Sequence, residues 1–222
     1  MDDYNKIKKI HDYIINNSNY DKTLFEKGDV PPESYTAYGN LILGVGVCEG
    51  YAKAMKYLLD GVNIESMIVV GESKEQSHAW NLVNIEGEYY HIDATWDDPL
   101  TNGDDGILQY NYFNLTDEEI SKTHSWKRVD YPEASGRKFN YFEYNNLVVD
   151  SYDKLKEELK NTLLNRRSDF IRKINNYTND SISITKLVEE IAYSNHNVIK
   201  LDSYSYYLDD EHGIINIKFN YR

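Results

Sequence analysis

The stretch from Gly44 to Gly61, G-V-G-V-C-E-G-Y-A-K-A-M-K-Y-L-L-D-G, places the chain's single cysteine at the head of a helical pattern. Tyr51 or Ala52, Met55 and Leu58/Leu59 recur at three- and four-residue steps, so the spacing predicts a helix from Cys48 to Gly61 with one apolar face. Gly61 stands where a left-handed C-terminal cap is usual, and Gly44 and Gly46 allow a tight turn into the helix. Cys48 then lies in the first helical turn, where unpaired N–H groups and the helix dipole favour a thiolate over a thiol. The position also suits a small buried hydrophobe, the commoner fate of a single free cysteine.

A second constraint comes from H-A-W-N-L-V-N-I-E-G-E-Y-Y-H-I-D-A-T-W, residues 78–96, two strand-like runs around Glu86-Gly87. A two-residue turn there sets Trp80 opposite Asp93 and His78 opposite Thr95. His78 and Asp93 become diagonal neighbours on one face, because strand side chains alternate with period two. A slip of one residue would put them on opposite faces. In this register Trp80 shares the His78 face and is a candidate wall for a substrate site, whereas Trp96 points the other way into the core.

Around these stretches, residues 4–16 carry Ile7, Ile10, Ile14 and Ile15 at helical spacing. Residues 23–32 read as an irregular loop, 34–43 as a short helix leading to Cys48, and 64–71 as a buried strand. Residues 97–106, D-D-P-L-T-N-G-D-D-G, hold calcium-loop ingredients without calcium-loop spacing and read as an acidic surface loop. Thr116 with Glu119 forms a capping box for a short helix. The irregular stretch 128–140, with Pro132 and Gly136, reads as a boundary between a domain at 1–135 and a small α/β accessory domain at 140–222. The second domain reads strand 146–150, helix 152–164, strand 170–174, helix 184–193, and a hairpin 198–208/214–221.

The formal net charge of -13 argues against nucleic acid or an anionic membrane as partner and favours neutral or cationic substrates. One cysteine rules out an intramolecular disulfide. The opening M-D-D-Y-N-K-I-K-K-I has no apolar signal region, and no run is long enough to insert in a membrane. Its abrupt start reads as a domain cut from a longer parent, extracellular or at the cell surface if that parent is exported and cytoplasmic otherwise.

A thiolate at a helix start, a histidine at a strand start and a carboxylate on the next strand can serve as nucleophile, general base and orienting acid. Any chain with one cysteine and 6 histidines offers such triples, so residue types alone leave this open beside a structural Cys48. Tyr35 and Tyr38 precede the Cys48 helix and are candidate hydroxyl donors to an oxyanion, although ordinary packing explains either among 21 tyrosines. A zinc site using Cys48, His78 and His91 or Asp93 lacks compact ligand spacing, so neither metal nor organic cofactor is expected.

Three blocks in register, G-V-C-E-G-Y-A-K-A-M-K-Y-L-L-D, S-H-A-W-N-L-V and Y-Y-H-I-D-A-T-W-D-D-P, resemble the bacterial branch of the transglutaminase-like superfamily. The similarity runs from about Ile7 through Y-F-N-L-T-D-E-E-I-S-K-T-H-S-W, ending at Trp126, and does not reach the second domain. It implies a papain-like α+β core: a helix carrying nucleophile Cys48, packed on an antiparallel sheet bearing base His78 and acid Asp93. The implied reaction is cysteine-dependent acyl transfer on protein or peptide amides through a thioester, giving crosslinking or deamidation. A cysteine peptidase or amidase on cell-wall or surface peptides would use the same triad, and a non-catalytic binding module could keep the same fold. Glu49 stands where this family more often has Gln, which bears on substrate preference and makes Glu49 a candidate substrate contact.

Overall fold

The isoleucine stripe of residues 4–16 forms helix α1 (Asp3–Asn17), capped by the Asp2 side chain accepting from the Asn5 N–H at 2.8 Å. The structure is a computed structural model describing residues 1–99, 108–175, 177 and 183–222. It divides into two units, Met1–Tyr141 and Phe142–Arg222. Beyond α1 the chain makes a two-residue strand β1 (Asn19–Tyr20) and a helix α2 (Lys22–Lys27), the latter inside a stretch expected to be irregular.

The helix expected over 34–43 is instead a 3-10 turn (Pro32–Tyr35) followed by a single π-helical turn (Gly39–Leu43). Thr36 caps the second turn, its Oγ1 accepting from the Gly39 N–H, and Gly39 passes so close to the Glu33 carbonyl oxygen, 2.2 Å from where a Cβ would lie, that only glycine fits there. Gly44, at φ +70, reverses the chain into β2 (Val45–Gly46), which pairs in parallel with β1. Helix α3 (Cys48–Gly61) follows at the expected bounds, but its C-terminal cap lies further on. Gly61 is still helical, and Asn63 takes the left-handed position at φ +57. The Asn63 N–H donates to Asp60 O at 3.1 Å and the Ile64 N–H to Leu59 O at 3.0 Å, a Schellman motif in which Ile64 and Leu59 share the core.

Strands β3 (Ser66–Ser73), β4 (Gln76–Ile85), β5 (Glu88–Ile92), β6 (Phe113–Leu115) and β7 (His124–Trp126) form one antiparallel sheet in the order β6-β5-β4-β3-β7. The turn is Glu86-Gly87, with both residues at positive φ and Asn81 paired to Ile92, as the expected register requires. The ladder stops at Ile92, so Asp93 and Thr95 leave the strand pairing. The sheet is covered on both faces. Val83, Ile85, Tyr90 and Ile92 pack with Ile7, Ile14, Tyr51, Met55 and Leu59, while Val69, Trp80, Leu82 and Leu115 join a second cluster with Ile120. Asn81 ties sheet to helix by donating to Ala52 O at 3.0 Å. The Thr116–Glu119 capping box is present.

The second unit has a sheet of order β10-β11-β9-β8, from β8 (Val148–Val149), β9 (Asp169–Ile174), β10 (Leu201–Asp209) and β11 (Ile214–Tyr221). Helices Tyr152–Leu164 and Ile184–Ser194 pack Leu159, Leu163, Leu187 and Val188 with Ile215 and Ile217. The architecture of the chain is therefore α+β, with a helix on an antiparallel sheet followed by a small α/β unit. Among the described residues no helix is long and apolar enough to cross a membrane.

Candidate active site

Cys48 reaches its place through backbone pairing on one side and helix packing on the other. The β1–β2 pair sets Tyr20 opposite Gly46, and the Asp21 N–H donates to Gly46 O at 3.0 Å, which holds Tyr20 beside the chain entering Cys48. A Cβ on Gly50 would lie 2.4 Å from both Ser34 O and Asn40 Oδ1, so this turn of α3 sits against the preceding loop as only glycine permits. Cys48 is 8% exposed and opens onto a cleft of about 560 Å3. Tyr20, Phe25, His78, Thr95 and Trp96 line the cleft, together with polar residues of the β3–β4 turn.

Asp93 and His78 meet as the hairpin register predicts. His78 Nε2 lies 2.6 Å from Asp93 Oδ2, and the ring lines the same cleft as Cys48. Asp93 engages Nε2, so Nδ1 is the nitrogen left for sulfur. Asp93 Oδ1 accepts the N–H groups of Thr95 at 3.0 Å and Trp96 at 3.2 Å, where the chain turns out of the sheet. Burial disfavours a charged imidazole, but the Asp93 carboxylate overrides it through its charge and by accepting a hydrogen bond from the ring, and with the neighbouring Cys48 it pushes His78 up to about 10. Burial likewise opposes ionisation of Asp93. The charge on His78 and hydrogen bonds from His124 and His78 outweigh it and hold the carboxyl well below the ordinary carboxylate range.

The turn carrying Asp93 is itself anchored. Asp97 Oδ2 lies 3.1 Å from His11 Nε2 on α1, Asp97 Oδ1 accepts the Tyr112 N–H at 2.8 Å, and the Tyr51 hydroxyl donates to Asp98 Oδ2 at 2.7 Å. Both aspartates are fully buried. The acidic surface loop expected from Asp97 onward is thus corrected at its start: Asp97 and Asp98 are interior fasteners, while residues 100–106 of that expected loop lie outside the described residues.

The remaining expected site residues fall elsewhere. Trp80 is on the His78 face, its ring stacked 6.0 Å from the imidazole, but it is 1% exposed and does not wall the cleft. The next position inward on β4 is roofed by Trp126 of β7 at 5.8 Å and by His124 at 4.9 Å. Trp96, expected in the core, is at the cleft instead, because strand alternation no longer applies once the chain leaves β5 at Ile92. Glu49 pairs with Lys53 at 2.6 Å along α3, and Tyr38 is 55% exposed; neither lines the cleft. His91 is apart from Cys48: its Nδ1 accepts from Trp80 Nε1 at 2.9 Å and its Nε2 donates to Asp117 Oδ1 at 2.8 Å. Burial lowers the affinity of His91 for a second proton, so this one-donor, one-acceptor tautomer fits.

Two residues escaped the sequence reading. Tyr20 lines the cleft beside Cys48, and burial, followed by the neighbouring Cys48 and Asp93 charges, pushes its ionisation upward so that it stays a phenol. His124 lies buried on β7, with Nε2 3.0 Å from Asp93 Oδ2 and Nδ1 2.8 Å from Thr123 Oγ1. His78, Asp93 and His124 also form a cluster of metal-ligating atoms within 4.8 Å of one another. The close contacts at Asp93 are those of hydrogen bonds, and the carboxylate has all its lone-pair directions engaged, so the cluster reads as a proton-bearing network.

A helix-borne cysteine facing a His–Asp pair on an adjacent sheet defines a class, the papain-like cysteine folds. Residues 1–94, less than half of the chain, match the profile of the Transglutaminase-like superfamily. No curated protein matches. Among solved structures, a TGase aligns at 19% identity and a TM-score of 0.38, covering 43% of this chain and 27% of that one. A candidate cysteine protease from Cytophaga hutchinsonii aligns at 24% identity and a TM-score of 0.36, covering 48% and 35%. The chain therefore spans about a third or less of the length of these structures.

Proposed function

We propose that the first unit is a cysteine-dependent acyl-transfer enzyme acting on protein or peptide amides. The observation that carries this reading is the buried His78–Asp93 pair, at 2.6 Å, with its imidazole lining the same open cleft as Cys48. A binding module has no need of that arrangement, and an ionised carboxylate buried behind a histidine is costly unless the charge it stabilises is used.

The chemistry follows from the geometry. His78 takes the Cys48 proton, and the thiolate attacks the amide carbonyl, forming a C–S bond while the carbonyl electrons move onto oxygen. The oxyanion accepts from the Cys48 N–H at the head of α3 and from the Tyr20 hydroxyl, which lines the same cleft. The C–N bond then breaks as His78 returns its proton to the leaving nitrogen, leaving a thioester on Cys48. Asp93 holds the imidazole orientation and stabilises its charged form throughout. A primary amine or water next attacks the thioester, loses its proton to His78, and releases an amide or an acid.

Incubation with a glutamine-containing protein and a labelled primary amine, and separately with a peptide library, tests the proposal against a Cys48→Ala control. Incorporation lost in the variant identifies a transferase. Release of ammonia or cleavage without incorporation identifies an amidase or peptidase. Neither outcome with any acceptor would overturn the enzyme reading in favour of a binding module.

A further inference from the structure

The chain as a whole is strongly acidic, at -13, yet no carboxylate lines the cleft at Cys48 among the described residues. Its charged lining groups besides His78 are Lys22, in the first turn of α2, and Lys74, in the turn joining β3 to β4. Neither lysine makes an ion pair among the described residues, whereas Lys53 and Lys56 on α3 are each paired to a carboxylate one turn away. Lys74 stands between the cleft and a neighbouring depression that it lines together with Glu72, Glu75, Ser121 and Thr123, and the two glutamates are not part of the cleft lining.

The backbone at Lys74 is unusual. Lys74 and Glu75 fill a two-residue hairpin loop closed by the Ser73–Gln76 pair, with φ +49 and +62. A turn of this shape ordinarily takes Asn-Gly or Asp-Gly, and Glu86-Gly87 of the next hairpin conforms at its second position. Two side-chain-bearing residues at positive φ are disfavoured and persist where something else requires the side chains. Here the turn puts Lys74 Nζ 4.1 Å from the centre of the Trp96 ring, and that ring makes an edge contact with His78 at 6.4 Å. Lys74 is thus one aromatic ring away from the imidazole.

We propose that Lys22 and Lys74 make this cleft selective for a peptide segment bearing a carboxylate side chain next to the reacting amide. The inference rests on the acyl-transfer reading above. It reverses the expectation drawn from net charge, because charges within a few ångströms of the ligand act on it more strongly than distant surface charge screened by salt.

Cys48 is the only cysteine, so its alkylation reports the cleft without ambiguity. The anionic reagent iodoacetate and its neutral counterpart iodoacetamide are compared in the wild type and in Lys22→Gln, Lys74→Gln and the double variant, each read as the ratio of the two rates so that any general change in thiol reactivity cancels. The ratio is expected to fall about two- to fivefold for each lysine removed, and in the wild type to fall with added salt. An unchanged ratio in the double variant overturns the proposal, as does a Cys48 inert to both reagents. Turnover of peptides with Glu or Gln beside the amide separates the two claims: turnover without preference for Glu defeats the lysine inference alone, and absence of turnover of either set, with the alkylation ratio responding as expected, defeats the acyl-transfer reading alone.

Discussion

His124 shares an oxygen of Asp93 with His78: its Nε2 is 3.0 Å from the same Oδ2 that His78 Nε2 reaches at 2.6 Å. The His124 ring is fully buried, packed at 4.9 Å from Trp80 and 5.6 Å from Trp96, and fixed at its other nitrogen by Thr123. Asp93 is consequently held by four donors and has one orientation in which to receive His78.

A variant that removes this donor while keeping an aromatic ring, His124→Phe, is expected to lower kcat about ten- to hundredfold, the range for one hydrogen bond to a buried charge. His124→Gln restores an N–H and should recover part of the loss. The readout beyond activity is the pH profile: with one donor fewer on Asp93, the pH limbs of kcat/KM should move. A profile identical to wild type would mean that His124 only fills space.

Asp93→Asn tests the charge itself. His78 is raised from 6.5 to about 10, so its contribution to stability is complete below the ordinary imidazole range and disappears as pH rises from 6.5 through about 10. Asp93 is depressed, so its contribution is present above 3.8 and is lost as pH falls through its lowered value. The melting-temperature difference between wild type and Asp93→Asn should therefore be largest between about pH 4 and 6.5 and shrink toward pH 10, where the part due to charged His78 is lost. A difference independent of pH would indicate that the carboxylate acts only through shape. Turnover near neutrality should drop by at least about a hundredfold, since the imidazole loses the group that orients and stabilises it.

The packing that holds Cys48 in place predicts a separate effect. Met55 is fully buried in the cluster joining α1, α3 and the sheet. Met55→Ala should cost about 2–5 kcal/mol in chemical denaturation, with the upper end expected where the site cannot collapse. Alkylation of Cys48 in the folded variant should change little, because the helix N-terminus is fixed by the Gly50 contacts and not by Met55 alone. A loss under 1 kcal/mol would show that the neighbouring side chains close the cavity.

What the sequence made legible was set by how local its causes are. Period-two alternation around Glu86-Gly87 is enough to bring His78 to Asp93, and a three- and four-residue stripe is enough to bound α3. Tyr20 was missed because its position comes from two backbone pairs to Val45 and Gly46, too short a strand to leave any pattern in N-N-S-N-Y-D. His124 was missed for a similar reason: β7 has three residues, and its partner on β3 is distant in the chain. Trp80 and Trp96 were exchanged because alternation was carried past Ile92, where Asp93 caps the strand end with its own side chain and the chain turns out of the sheet. Asp97 and Asp98 were placed at the surface on residue type alone, although His11 and Tyr51 elsewhere in the chain were the partners that let them be buried.

Tyr20 carries the sharpest test of the mechanism, because Tyr20→Phe deletes one oxygen and leaves the ring. The hydroxyl lines the cleft beside Cys48, and in the reaction it would donate to the oxyanion. Such a donor acts chiefly in the transition state, so kcat is expected to fall about 100- to 1000-fold with KM nearly unchanged. Alkylation of Cys48 involves no oxyanion and should keep its wild-type rate. A parallel loss in both assays would instead mean that Tyr20 shapes the entrance to the thiol. A kcat within a few-fold of wild type would require the second donor to be another group lining the cleft, of which Thr95 and Gln76 are within the same wall.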